Sequence, residues 1–146
     1  MKRTPNVLKL WVVAVAAVAA SALSGTASAQ SLVKGSFTLP YEVHWGKAVL
    51  APGSYTITMD STRGPATIRT STGAGRALVL ARSVDKAMTD QPTALLISQR
   101  ENQRIVRSFN YREADVAFVY VPFTKAERKL ADNADSFAVP ILMAQK

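Results

Sequence analysis

The sequence predicts an all-β domain, an antiparallel β-sandwich with one short helix near the C-terminus; a small closed β-barrel is the alternative. Three observations carry that prediction. Apolar and polar residues alternate through several short segments, the pattern of half-buried strands. Clusters of Gly, Pro, Ser and Asn separate those segments, as they do in all-β domains. A capping-box helix start is found at Thr124, close to the C-terminal end.

Composition frames the rest. The 146 residues leave room for one domain. A hydrophobic share of 48% against 19% charged is too apolar for a disordered chain. Gly 7 and Pro 7 exclude collagen-like or low-complexity character. With no Cys, there is no disulfide framework, thiolate zinc site, cysteine nucleophile or lipidated N-terminal cysteine. The single His falls short of the two or more that most histidine metal sites need.

Residues 1–29 read as a cleavable secretory signal peptide. Lys2 and Arg3 make a positive start, Leu10 to Leu23 is apolar apart from Ser21, and Ala27-Ser28-Ala29 is a small-x-small cleavage pattern before Gln30. As a helix the apolar run spans roughly 21 Å, short of the roughly 30 Å of a bilayer core. An uncleaved anchor is the competing reading. No second run of that length follows, so the mature chain is expected to lack a transmembrane segment and to be exported, periplasmic or extracellular. Cleavage removes Lys2, Arg3 and Lys9, leaving residues 30–146 as a single all-β domain whose charge falls from +8 to +5. That length supports one core. Export makes nucleic acid an unexpected partner. The basic balance suits an envelope component or anionic polymer, a lipid headgroup, or plain solubility.

Each element follows in order. From Ser36 to Trp45, Phe37, Leu39, Tyr41, Val43 and Trp45 share one face; Ser36, Thr38, Glu42 and His44 share the other, and Pro40 marks an edge or bulge. Ser54–Asp60 repeats the pattern with Tyr55, Ile57 and Met59 inward, after Ala51-Pro52-Gly53-Ser54, which has type II turn chemistry. Ala66–Thr70 and Arg76–Val84 form a hairpin through a glycine-bearing loop. The second of them is apolar on both faces, which predicts a central strand. Asp85–Pro92 is a polar connection. Ala94–Gln99 and Arg104–Arg112 form another hairpin through Arg100-Glu101-Asn102-Gln103. There Ile105, Phe109 and Tyr111 share a face with Arg107, which must reach a rim or find a partner. Val116–Val121 is the strongest candidate for a buried strand. Thr124-Lys125-Ala126-Glu127 fits a capping box, opening a helix that fades near Asn133. Phe137, Val139, Ile141 and Met143 alternate as a closing strand, with Pro140 at a sheet edge. The doubly apolar strands argue against an outer-membrane barrel, whose lumen is wet.

The segment Phe37-Thr38-Leu39-Pro40-Tyr41-Glu42-Val43-His44-Trp45-Gly46, running on through Leu50-Ala51-Pro52-Gly53-Ser54-Tyr55, resembles a signature of small exported bacterial β-domain proteins of uncharacterised function. That signature is Phe-x-x-Pro-aromatic, then Gly, then Leu-Pro-Ala-Gly-x-Tyr leading into a strand; here Pro and Ala are exchanged. It covers about 20 residues at the start of the mature chain. The resemblance implies aromatic anchors on one face and a hairpin turn that sets strand register. It implies no chemistry.

The residues themselves point to no catalytic, cofactor or metal set. His44 is the one imidazole, with Glu42 two residues away on the same strand face. No Gly-x-Ser-x-Gly elbow accompanies it, so a solvent-facing histidine beside a glutamate is favoured over a hydrolase. The carboxylate pairs Glu113/Asp115, Asp132/Asp135 and Asp85/Asp90 fall at turns and a helix end, not across a cleft as glycosidase chemistry needs. No Asp-x-Asp-x-Asp-Gly calcium loop is present. Gly73-Ala74-Gly75-Arg76 is followed by a strand, whereas a phosphate cradle needs a helix N-terminus. Arg104 and Arg112 share a predicted strand face with Val106, Ser108 and Asn110, a surface suited to an anionic glycan or headgroup or to edge protection. The expectation is therefore an exported, non-catalytic structural or interaction domain. The alternative is a binder of a small ligand, anionic glycan or lipid headgroup, with Glu42, His44, Arg104 and Arg112 as candidate contacts. A small-ligand site at a sandwich edge is expected to use Tyr41, Trp45, Tyr55 or Tyr111, and an apolar pocket with convergent polar groups would favour that alternative.

Overall fold

The computed structural model describes residues 31–130 and 136–144. Residues 1–29, expected to be a signal peptide, the Asp132/Asp135 pair and the helix end expected near Asn133 lie outside the described residues. The chain folds into two packed sheets that do not close into a barrel. In the first, β12 (Leu142–Met143), β1 (Val33–Leu39), β4 (Gly53–Met59), β5 (Ala66–Thr70) and β6 (Arg76–Val79) lie in that order. The second runs β11 (Ser136–Pro140), β8 (Ala94–Arg100), β9 (Gln103–Tyr111), β10 (Val116–Val119), β7 (Ser83–Lys86). Beside β9 it also takes in β2 (Val43–Trp45), which pairs in turn with β3 (Ala48–Leu50).

Alternation places the core of β1, β2 and β4 where the sequence predicts it, whereas Val106 of β9, expected on the outward face, joins the core. Val33, Phe37, Leu39, Val43, Trp45, Tyr55, Ile57, Met59, Ile68 and Val79 are buried between the sheets with Leu95, Ile97, Val106, Phe109 and Phe118. Aromatic rings bridge the layers. Phe37 of the first sheet stacks on Tyr55 at 5.7 Å and reaches Trp45 of the second at 6.0 Å; Trp45 meets Tyr120 edge-on at 5.2 Å. Such contacts add about 0.5–1.5 kcal/mol each beyond the area buried.

Several predicted strands are divided, because the chain changes sheets where the alternation alone shows no break. Ser36–Trp45 splits at Pro40: β1 belongs to the first sheet and β2 to the second. Pro40 has no amide hydrogen for a ladder, so the corner falls there. The turn at Ala51-Pro52 joins no hairpin, since β3 and β4 lie in different sheets. Its Gly53 sits at φ 154°, far from the +80° of a type II turn. The Tyr55 hydroxyl donates to Ala51 O at 2.7 Å and closes the corner.

Arg76–Val84 is not a central strand. It is two edge strands, β6 and β7, one in each sheet, which leaves Leu78, Leu80 and Val84 exposed. Asp85 and Lys86, expected in a polar connection, belong to β7. The closing strand divides in the same way. β11 pairs with β8 in the second sheet, and past Ile141 β12 pairs with β1 in the first. Pro140 does lie on an edge strand. The β5–β6 hairpin turns through Gly73 at φ 76°. The β8–β9 hairpin needs only Glu101 and Asn102, both at positive φ (48° and 71°), as a type I′ turn requires.

Candidate functional site

One irregularity in β9 organises the candidate site. Leu96 pairs with Ser108, but Ile97 pairs with Val106, so Arg107 is the extra residue of a β-bulge. The predicted shared face of Ile105, Arg107, Phe109 and Tyr111 is broken there. Val106 and Phe109 both face the core, and Arg107 turns away from it. Its carbonyl accepts from the Tyr120 and Val121 amides at 2.9 and 3.1 Å, which ends β10 and steers the following segment outward.

The Arg107 side chain, only 3% exposed, is held on every side. Nε–H donates to the Ser98 hydroxyl, one terminal nitrogen donates to Pro122 O at 3.4 Å, and the other to Glu127 Oε1 at 2.8 Å. The guanidinium carbon stands 4.8 Å from the centre of the Phe123 ring. Glu127 is also the far end of the predicted capping box for helix α1 (Lys125–Leu130). Its Oε2 accepts from Thr124 N at 2.7 Å, and its own N donates to Thr124 Oγ1 at 3.2 Å. The Thr124 amide bond above all, then Arg107 and the Thr124 hydroxyl, lowers the Glu127 carboxyl to about 2. The sequence predicted the box and Arg107's need of a partner. It did not join the two.

Three residues beyond Arg107 along β9, the buried Asn110 pins the segment before β8. Its Oδ1 accepts from Met88 N at 2.9 Å, and its Nδ2 faces the carbonyls of Met88, Gln91 and Pro92 at 3.0–3.3 Å. Thr93 ends that segment, donating to Glu113 and accepting from Arg112 N at 3.1 Å. Among the described residues, Thr93, Ser98, Arg107 and Asn110 are the buried polar side chains. They belong to the same region of the second sheet. Between the two pinned segments lies a cleft of about 320 Å³, with Met88 on one side and Val121, Pro122 and Phe123 on the other. Val119 and Ser108 line it from the sheet, together with Arg107 and Asp85.

The four contacts expected from the sequence are not brought together there. Glu42 and His44 do lie close, with Glu42 Oε1 4.0 Å from His44 Nε2, and the His44 backbone pairs with Val49 and Ile105. Arg104 is near them but stacks on Tyr41 at 4.2 Å, and Tyr41 meets Phe137 edge-on at 5.0 Å. Burial raises the Tyr41 phenol, with Arg104 opposing. Arg112 is beyond the other end of β9, in a single 3-10 turn (Arg112–Ala114). At about 3.3 Å per residue the two arginines stand roughly 26 Å apart along the strand. The bulge puts Val106 in the core between them, so they share no binding face.

The aromatic residues expected to line a ligand site have other work. Trp45 and Tyr55 are buried in the core, and Tyr41 and Tyr111 pack against it. Glu113 lies within the 3-10 turn and Asp115 directly follows it, where Asp115 adopts φ 55° and approaches Lys86 at 3.9 Å. Among the described residues no group of three or more His, Cys, Asp or Glu could hold a metal ion, and no helix is long and apolar enough to cross a membrane. No family model matches this chain, and neither a curated protein nor a solved structure matches it.

Proposed function

We propose that this chain is an exported, non-catalytic binding domain that holds a small molecule, an apolar body with one hydrogen-bonding head, in the cleft beside Arg107. One observation carries the reading: buried polar side chains anchor the two segments that wall a single apolar cleft. A buried polar group is costly unless fully bonded, and here that bonding holds the cleft walls in place. Met88, Val119, Val121 and Phe123 offer apolar contact, while the Ser108 hydroxyl and Asp85 carboxylate offer polar contact. An apolar cleft with a few polar groups is the usual form of a small-molecule site, and this one lies at the small end of the range.

Export rests on the leader pattern of residues 1–29. Protein recovered from the envelope or medium should begin at Gln30. Binding is tested by amide chemical-shift mapping against short alkyl and aryl amines, carboxylates and alcohols. Shifts at Ser108, Val119 and Val121 are expected for at least one head group, and Ser108→Phe should abolish them by filling the cleft. A panel that moves none of these amides sinks the reading.

A further inference from the structure

The outward face of the first sheet is defined by its register. One row crosses the sheet through Leu142, Ser36, Thr56, Arg69 and Arg76. The next runs through Lys34, Thr58, Thr67 and Leu78. Neither contains a carboxylate. From Ser61 to Val84 the chain carries Arg63, Arg69, Arg76 and Arg82 and no Asp or Glu. Arg69 and Arg76 are exposed and directly opposite on neighbouring strands, a placement that is destabilising for like charges. Among the described residues neither has a carboxylate within 4.0 Å.

The borders of this face are apolar. Leu142 on β12 is 73% exposed, and Leu78 on β6 and Leu80 just beyond it are 57% and 65% exposed. Five strands at about 4.8 Å spacing put those borders roughly 19 Å apart. Hydroxyls of Ser36, Thr56 and Thr58 line the ground between them, in shallow grooves beside Leu142.

We propose that this face docks flat on an anionic phospholipid bilayer. Leu78, Leu80 and Leu142 enter the boundary between headgroups and acyl chains, and Lys34, Arg69 and Arg76 meet phosphates. The serine and threonine hydroxyls donate to headgroup oxygens. The exposed leucines decide between partners: an acidic polysaccharide would use the cations and hydroxyls but leave three leucines in water, whereas a bilayer surface uses all three sets. The proposal is independent of the cleft, which is on the second sheet.

Flotation of the purified chain with vesicles tests it, using phosphatidylglycerol mixed into phosphatidylcholine against phosphatidylcholine alone. Binding is expected only with the anionic lipid. A cation near such a surface strengthens partitioning about fivefold, so the triple variant Lys34→Ser, Arg69→Ser, Arg76→Ser should lose on the order of 100-fold. Leu78→Ser with Leu80→Ser should keep salt-sensitive binding and lose the fraction that resists high salt. Circular dichroism confirms that both variants fold. Both leave residues 1–29 intact, so binding through the leader would persist in them. The proposal is overturned if the parent does not float, if it floats equally with neutral vesicles, or if the charge variant floats as the parent does. Retention on alginate without flotation would assign the face to a polyanion and overturn it as well.

Discussion

Asn110→Asp should unfasten one wall of the cleft while leaving its shape almost unchanged. The carboxamide accepts one amide hydrogen from Met88 and turns its NH2 toward the carbonyls of Met88, Gln91 and Pro92. A carboxylate keeps the acceptor and removes both donors. Two lost bonds are worth about 1 kcal/mol each, and carbonyls left facing an anion in a buried position add about 1–3 kcal/mol. The sum, about 3–5 kcal/mol, is a large share of the 5–15 kcal/mol typical of a domain. For a chain of this length that corresponds to a fall in Tm of roughly 12–20 °C at neutral pH.

The sign of the pH dependence is fixed by the same geometry. Burial and the facing carbonyls raise the introduced carboxyl above its unfolded value of about 3.9. The stability it contributes when protonated is therefore fully present below that value and is lost as pH rises through the raised one. Thermal denaturation of variant and parent at matched pH should show the gap closing in acid. Hydrogen exchange should quicken first at the amides of 87–91. A variant within about 2 °C of its parent at neutral pH, or a gap that ignores pH, refutes the account of Asn110 as the anchor of this segment.

Three further outcomes are expected. Glu127 is held at about 2 against an ordinary value of 4.5, so its contribution is present above 4.5 and is lost as pH falls toward 2; exchange at the Thr124 and Glu127 amides should accelerate across that window. Gly35→Ala places a methyl 2.7 Å from Ile141 Cγ2 and 3.1 Å from Leu142 O, so β12 must shift from β1; a loss of about 1–3 kcal/mol in denaturant titration is expected. Tyr120→Phe should be nearly neutral or slightly stabilising in the same titration, because the Tyr120 hydroxyl is buried without a hydrogen-bond partner among the described residues.

Much of the fold is legible in the sequence because side-chain alternation is a local property. The buried sets of β1, β2 and β4 are those that period two predicts, and the capping box at Thr124 forms as its spacing requires. Strand boundaries are less legible. Crossing from one sheet to the other at Pro40, Leu80 and Ile141 preserves an apolar pattern while changing the pairing partner. Arg76–Val84 shows the consequence: leucines that read as a central strand lie on two open edges. The candidate site was least legible. An unbroken alternation puts Arg104 and Arg112 on one face, and a single inserted residue at Arg107 separates them.

By itself the sequence determined an all-β class, a core rich in aromatic and β-branched residues, and a helix start near the C-terminus, since each follows from neighbours a few positions apart. Only the tertiary structure decided which strands are edges, where β9 bulges, and that Arg107 meets Glu127 twenty residues away. Those outcomes depend on pairings between distant segments. A guanidinium turned out of the core at the bulge is stable only where another part of the chain brings it a carboxylate.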